Sequence, residues 1–319
     1  PFLPGAPTQS LLASDDTIAQ DPEVAWHISR LSGQRPEPRA NRSRTVRVLD
    51  LFAGAGGFGL GIKWAIEAAG ATARTVLASD INEVALGVHA NNLNPQRSLV
   101  KSVRELLRIE PLVQLNEWRD DLPSALVMPH WPHSIREVDI VIGGPPCQGH
   151  SNLNNHTRRN DHRNELYIWM AAAAVVTKPK LVIVENVPTV MADAGDVVGR
   201  TMSLLRKSGY EISFEGVLSA DHFGVAQTRK RHFLVAVRSD VLNKTASYAA
   251  VEWLSTKEAM SMTVLDAISD LADVTGDNDY DRPAELSIEN RSRVKWLHDN
   301  SEYDLPDDLR PVCHQNGHT

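Results

Sequence analysis

The residues able to do chemistry stand where short apolar runs end. Val138 to Ile142 leads into Gly143-Gly144-Pro145-Pro146-Cys147-Gln148-Gly149-His150-Ser151, a turn whose prolines restrict the backbone and present one thiol in a fixed place. A rigidly held cysteine suits covalent catalysis, although a free cysteine also packs well as an inert small hydrophobe. Lys180 to Val184 leads into Glu185-Asn186-Val187-Pro188, which puts a carboxyl group on a second turn of the same kind. Arg229 and Arg231 precede a third apolar run, Phe233 to Val237, at the period-two spacing that points both side chains to one face of a strand. A thiol, a carboxyl and two guanidinium groups suffice for nucleophilic attack with proton transfer and anion stabilisation.

These groups need a scaffold that gathers them. Val46 to Phe52 reads as a first strand, Ala53 to Gly61 as a glycine-rich turn, and Ile62 to Ala69 as a helix stopped by Gly70. Strand, glycine turn and helix make a nucleotide-cofactor site in principle, and Gly54, Gly56 and Gly59 fit the G-x-G-x-x-G spacing of dinucleotide sites. A second strand, Thr75 to Ser79, closes on Asp80, which is placed either to meet a ribose hydroxyl or to cap a helix over Asn82 to Asn91. His89 lies on that helix with no assigned role. Helices are expected over Val103 to Trp118, interrupted or started at Pro111, then over Leu166 to Thr177 and Gly199 to Lys207, with a strand at Tyr210 to Leu218. If the strands ending at Cys147 and Glu185 are parallel, both residues emerge on one edge of the sheet. Shorter helical pieces are expected at Val24 to Leu31, Val264 to Leu271 and Asn290 to Asp299.

Composition narrows the class. The 319-residue chain is 42% hydrophobic, enough for a sizeable core, and carries only Cys147 and Cys313, so no disulfide framework exists and a reducing, cytoplasmic setting fits. No apolar run is long enough to span a bilayer, and no secretory leader pattern is visible. Net charge is -7, yet Asn152 to Arg163 concentrates Arg158, Arg159 and Arg163 with two histidines in a segment almost free of apolar residues. Beside a candidate nucleophile, such a segment reads as a lid that meets phosphates, against the plainer reading of a solvated loop. His130 with His133, and Cys313 with His314 and His318, lack a full ligand set at metal spacing, so no metal is expected.

Four motifs in order resemble those of the DNA (cytosine-5) methyltransferase family: Asp50-Leu51-Phe52-Ala53-Gly54-Ala55-Gly56-Gly57, Gly144-Pro145-Pro146-Cys147-Gln148, Glu185-Asn186-Val187 and Gln227-Thr228-Arg229-Lys230-Arg231. The resemblance covers roughly Val46 to Val237. It implies an α/β, Rossmann-like S-adenosylmethionine-dependent methyltransferase fold, with a mostly parallel sheet and helices on both faces. It implies S-adenosyl-L-methionine as cofactor and S-adenosyl-L-homocysteine as product, bound by Phe52, Ala53, Gly54, Ala55, Gly56, Gly57, Asp80, Ile81, Ser102, Val103, Pro145 and Leu166. Ser102 stands where the family usually has an aspartate facing the adenine amino group.

The resemblance further implies that a cytosine is flipped out of double-stranded DNA and that the Cys147 thiolate adds to C6. Glu185 would serve the ring nitrogen and Arg229 the ring oxygen, with Arg231, Asn186 and Pro146 completing the catalytic set. Gln148, Ser151, Arg158, Arg159, Arg163 and Gln227 would face DNA. Residues 1–44 read as an extension or linker, 45–237 as the catalytic domain, and 238–319 as the lead-in to a target-recognition domain. That domain and the family's last two motifs are not found through Thr319, so a further domain or chain is expected to supply target recognition. A cognate restriction endonuclease is a further expected partner, and no membrane is. Competing readings are a transfer-RNA cytosine-5 methyltransferase, a catalytically silent DNA-binding relative and, from the glycine turn alone, a dinucleotide oxidoreductase.

Overall fold

A computed structural model describes residues 44–109, 126–127, 137–146, 162–243, 252, 254, 263–268 and 285–315. Cys147, Gln148, Ser151, Arg158, Arg159 and the expected helix over Val24 to Leu31 lie outside the described residues.

The strands are β1 (Thr45–Leu51), β2 (Thr72–Asp80), β3 (Ser98–Val100), β4 (Arg108–Ile109), β5 (Leu126–Val127), β6 (Ile140–Gly143), β7 (Leu181–Asn186), β8 (Tyr210–Ser219) and β9 (Lys230–Arg238). Seven of them form one sheet in the order β3-β2-β1-β6-β7-β9-β8. Neighbours from β3 to β7 pair in parallel, whereas β9 runs antiparallel to both β7 and β8. Parallel neighbours need crossover connections, and the helices α1 (Gly57–Ala68), α2 (Glu83–Leu93) and α4 (Trp169–Thr177) lie in them, whereas α5 (Val197–Lys207) leads from β7 to β8 across β9. Mostly parallel strands wound with helices, and one antiparallel hairpin at the edge, make a Rossmann-like α/β fold.

The central strands are apolar because a parallel sheet is covered on both faces. Leu49, Leu77, Ala78, Val141, Ile142, Val182 and Val184 have no more than traces of exposure. The alanine run Ala171–Ala174 in α4 is fully buried, since small side chains let the helix lie close on the sheet. Gly143 belongs to the same contact: a Cβ there would stand 2.6 Å from Met170 Sδ and 2.8 Å from the Leu51 carbonyl oxygen. Asp139, at the opposite end of β6, ties three strands by accepting from Arg47 N at 2.9 Å and Lys180 Nζ at 2.8 Å. Burial acts to raise its carboxyl pKa, but these bonds and charges outweigh it and hold the group below the usual range.

Several boundaries differ from the sequence expectations. The first helix begins at Gly57, inside the glycine run, because Gly56 at φ 93° serves as its N-cap. Asp80 is not the cap of α2; Asn82 is, accepting from Ala85 N at 3.0 Å. Of the helix expected over Val103 to Trp118, the described residues show α3 (Val103–Leu106), followed by β4, whose partner is β5; residues 110–118 lie outside the described residues. A 3-10 helix, His162–Tyr167, precedes α4 where continuous α-helix was expected from Leu166. Of the helix expected over Val264 to Leu271, α6 (Val264–Ile268) is described, and residues 269–271 lie outside the described residues.

The chain divides into two compact units, residues 1–267 and 268–319. Described parts of the second are α7 (Ile288–Asn300), started by Ser287 accepting from Asn290 N, and two short 3-10 turns, Asp307–Leu309 and Val312–His314. Arg293 Nε donates to the Leu309 carbonyl oxygen at 2.7 Å and holds those turns to the helix.

Gly143→Ala is expected to destabilise the first unit by about 1–3 kcal/mol, because the new methyl meets backbone as well as Met170. Urea unfolding checks this; a loss below a few tenths of a kcal/mol would show that α4 can move off the sheet.

Candidate active site

Sheet register aligns the candidate residues. Leu51 pairs with Ser79 and Gly143, and Gly143 pairs with Val184. One step further along each strand stand Asp80, Phe52, Gly144 and Glu185, in a row at the carboxyl edge where ligands of open α/β sheets bind. The parallel pairing of β6 and β7 places the Pro145-Pro146 turn and Glu185 on the same edge. Phe52 turns the chain sharply at φ 54°, an uncommon conformation for a bulky residue.

A pocket opens on this edge, walled by Leu51, Phe52, Ser79, Asp80, Ile81, Lys101, Ser102, Val103, Arg104, Gly144, Pro146 and Leu166. It brings together Phe52, Asp80, Ile81, Ser102, Val103, Pro146 and Leu166 from the sequence-derived set. Ala53, Gly54, Ala55, Gly56 and Gly57 form the turn that continues from Phe52, and Pro145 is buried behind Pro146. Asp80 organises the turn: one carboxylate oxygen accepts from Gly54 N at 2.8 Å, the other from Asn82 N at 2.8 Å. Ser102 caps α3 in a reciprocal pair with Glu105, its hydroxyl donating to Oε2 at 2.8 Å.

Beneath the glycine turn lies a pair that sequence reading left without a role. His89 Nε2 is 3.0 Å from Asp50 Oδ2, and both side chains are almost wholly buried. Burial pushes the Asp50 carboxyl up, and the bond to His89 with its charge pulls it back. Gly59 packs directly on this pair; a Cβ there would stand 2.5 Å from Asp50 Oδ2. The only signal in the sequence is one polar position on an otherwise unremarkable helix, 39 residues along the chain from Asp50, and it gave no sign of a partner.

At the other end of the row Glu185 Oε1 is 2.8 Å from Arg231 Nε, with the two side chains 29% and 24% exposed. Burial raises the Glu185 carboxyl above its ordinary range, and Arg231, Arg229, the hydrogen bond from Arg231 and His232 partly offset it. Arg231 and Glu185 meet because Glu185 pairs with Phe233 across the antiparallel ladder, so Arg231 lies two residues along on the same face. Arg229 and Gln227 precede β9 and are exposed. Asn186 is buried; its amide donates to the Pro145 carbonyl oxygen at 3.2 Å, and its own oxygen accepts from Val187 N at 2.8 Å. It thereby joins the end of β7 to the turn preceding Cys147. Arg163 falls in the 3-10 helix before α4. No cluster of three metal-ligating side chains exists among the described residues. Among them, no helix is long and apolar enough to cross a membrane.

Fold and edge define a Rossmann-like methyltransferase framework. The family model described as C-5 cytosine-specific DNA methylase matches residues 46–307, and the chain belongs to that family. The match runs well past Val237, where the sequence motifs end. Among curated relatives, the Bacillus subtilis type II methyltransferase M1.BsuMI is 34% identical over 275 residues, covering 86% of this chain and 60% of that protein. Type II methyltransferase M.Eco47II of Escherichia coli is 28% identical, covering 87% of this chain and 59% of that protein. DNA (cytosine-5)-methyltransferase 3 of Arabidopsis thaliana is 28% identical over 304 residues, covering 81% of this chain and 21% of that protein. The chain thus spans at most about three fifths of the length of these relatives.

Two outcomes test the site's electrostatics. Arg231→Ala removes a charge and a hydrogen bond that favour ionised Glu185, so the carboxyl is expected to keep its proton to higher pH than in the parent. Infrared titration of the carboxyl band, with Glu185→Gln as the blank, reads this; a downward displacement would contradict it. His89→Leu strands a buried carboxyl at Asp50 and is expected to cost on the order of 3 kcal/mol in urea unfolding.

Proposed function

We propose that the protein is an S-adenosyl-L-methionine-dependent DNA cytosine-5 methyltransferase. The observation that carries this reading is the Glu185–Arg231 pair at the sheet edge, one strand from the Pro145-Pro146 turn that leads to Cys147. The relatives named type II methyltransferases support double-stranded DNA as substrate and a restriction-modification setting with a cognate endonuclease as partner. A reducing cytoplasmic location fits a chain with two cysteines.

The pocket fits the cofactor. Its wall is mainly apolar, suited to an adenine ring between Phe52, Ile81 and Val103, and Asp80 retains acceptor capacity for ribose hydroxyls beyond its two backbone bonds. The Ser102 hydroxyl proton is committed to Glu105, which leaves an oxygen lone pair for an amino donor. Leu166 closes the opposite wall near Gly144 and Pro146. When bound, S-adenosyl-L-methionine supplies an electrophilic methyl group that cytosine C5 takes up.

The remaining steps belong to the chain. A cytosine extruded from the duplex meets the Cys147 thiolate, which forms a bond to C6 and makes C5 nucleophilic. Negative charge then develops on the ring at N3 and O2. Glu185, whose burial favours the protonated form, shares its proton with N3. Arg229 is exposed before β9 and free to turn towards O2, while Arg231 holds Glu185 in place. Asn186 fixes the Pro145 carbonyl and with it the origin of the thiol-bearing turn. Loss of the C5 proton and release of the Cys147 thiolate restore aromaticity and end the turnover. Gln148, Ser151, Arg158, Arg159, Arg163 and Gln227 are assigned to the DNA side.

Tritiated-methyl transfer to cytosine-containing duplex DNA tests the reading. Cys147→Ala is expected to reduce transfer to background while cofactor binding persists, and 5-fluorocytosine duplex is expected to trap the parent protein covalently. Transfer by the alanine variant would overturn the mechanism. Preferential methylation of transfer RNA in direct competition would move the substrate assignment to RNA.

A further inference from the structure

A second polar cluster lies on the reverse face of the strand pair that carries Glu185. His232 follows Arg231 in β9, so its side chain points to the opposite side of the sheet. It is fully buried, between Arg231 and Phe233 along the strand, and shares its face with the buried Leu234 and Ala236. Its Nε2 stands 2.9 Å from Glu215 Oε1 on β8, and its Nδ1 stands 3.4 Å from the Tyr167 hydroxyl, which is also buried. Glu215 is 32% exposed at its side chain, so a continuous chain runs from a partly wetted carboxylate through a buried imidazole to a buried phenol. Tyr167 directly follows Leu166 of the pocket wall.

Placement connects the cluster to the site. His232 is the cross-strand partner of Asn186, the residue that holds the Pro145 carbonyl, and it is the chain neighbour of Arg231, which holds Glu185. A polar residue here requires explanation, since a leucine or valine would fill a covered sheet face without desolvation cost. The ionisable groups around His232 are Glu215 from β8 and Tyr167 from the 3-10 helix. Glu185, Arg231 and Arg229 stand at the strand ends on the far side of the ladder. Their fields overlap. Charge on His232 favours the ionised form of Glu185, and the carboxylates of Glu215 and Glu185 push the Tyr167 hydroxyl up, beside its burial.

We propose that His232, held by Glu215 and Tyr167 on the reverse face of the β7–β9 ladder, is a positioning residue for Glu185 and influences when Glu185 gives up its proton. The proposal rests on the reading of Glu185 as the group that serves cytosine N3. A cation at His232 disfavours protonated Glu185, so neutral replacements favour it. Glu215 supports that cation, so neutralising Glu215 acts in the same direction.

The experiment uses the whole chain as His232→Gln and Glu215→Gln, the second chosen because a partly exposed carboxylate can be made an amide with little disturbance of the core. Infrared titration of the Glu185 carboxyl, with Glu185→Gln as the blank, is the first readout, and the pH profile of methyl transfer to duplex DNA is the second. Both variants are expected to displace the Glu185 titration, and the alkaline limb of the profile, upward by about half a pH unit or more. The KM for S-adenosyl-L-methionine is expected to stay within about twofold. An unmoved titration in folded Glu215→Gln and His232→Gln, or a change confined to KM, overturns the proposal and leaves the cluster a structural contact. If the parent transfers no methyl group to DNA, the functional reading fails, while the infrared titration still decides the coupling.

Discussion

The site depends on parallel register. Because Ser79, Leu51, Gly143 and Val184 are level across four strands, the residues that follow them reach solvent side by side. No loop has to be long to bring Asp80, Phe52, Gly144 and Glu185 together. Packing on both faces holds the register: sliding any of these strands by one residue would move Leu49, Val141 or Val182 from the face on which it is packed to the opposite one. Asp139 adds a polar lock at the amino end of β6, where it takes hydrogen bonds from the β1 backbone and from Lys180 just before β7.

Given that row, each edge residue is stabilised from behind by a buried polar partner. Asp80 is spent on two backbone amides, which fixes the glycine turn while leaving oxygen lone pairs outward. Asp50 and His89 sit under the same turn, and the missing Cβ of Gly59 is the space that they occupy. Asn186 lies under the proline turn. Two of these arrangements share a logic: Asp80 and Asn186 each meet a backbone group of a turn, so the turn is held by bonds whose loss would leave polar groups unpaired. Rigid turns of this kind suit a reaction in which attacking and proton-sharing groups must be in place before the substrate base arrives.

Much of this was legible from the residues alone. Apolar runs ending in Gly, Pro and polar residues announced β1, β6 and β7, and their turns named the edge residues in the right order. Other features were not legible. Antiparallel insertion of β9 between β7 and β8 brings Arg231 to Glu185, and no periodicity in the chain specifies which strands become neighbours. The onset of α1 at Gly57 was missed because glycine is normally read as a turn, whereas Gly59 within α1 is what allows the helix to approach Asp50 and Leu93. His89 and His232 were missed for one shared reason. Neither stands out from its neighbours in the chain, and the partner of each is distant in sequence, at Asp50 and at Glu215.

The two buried histidines also differ in a way that bears on function. His89 and Asp50 are both sealed from water, so a proton arriving at or leaving that pair must cross packed protein, and the pair acts as a fixed support for the glycine turn. His232 is equally buried, but Glu215 is partly wetted, which gives its proton a short route to solvent. The antiparallel hairpin at the sheet edge therefore carries more than Arg229 and Arg231. It places a titratable group one residue from the guanidinium that holds Glu185, on a face that the substrate does not need to occupy.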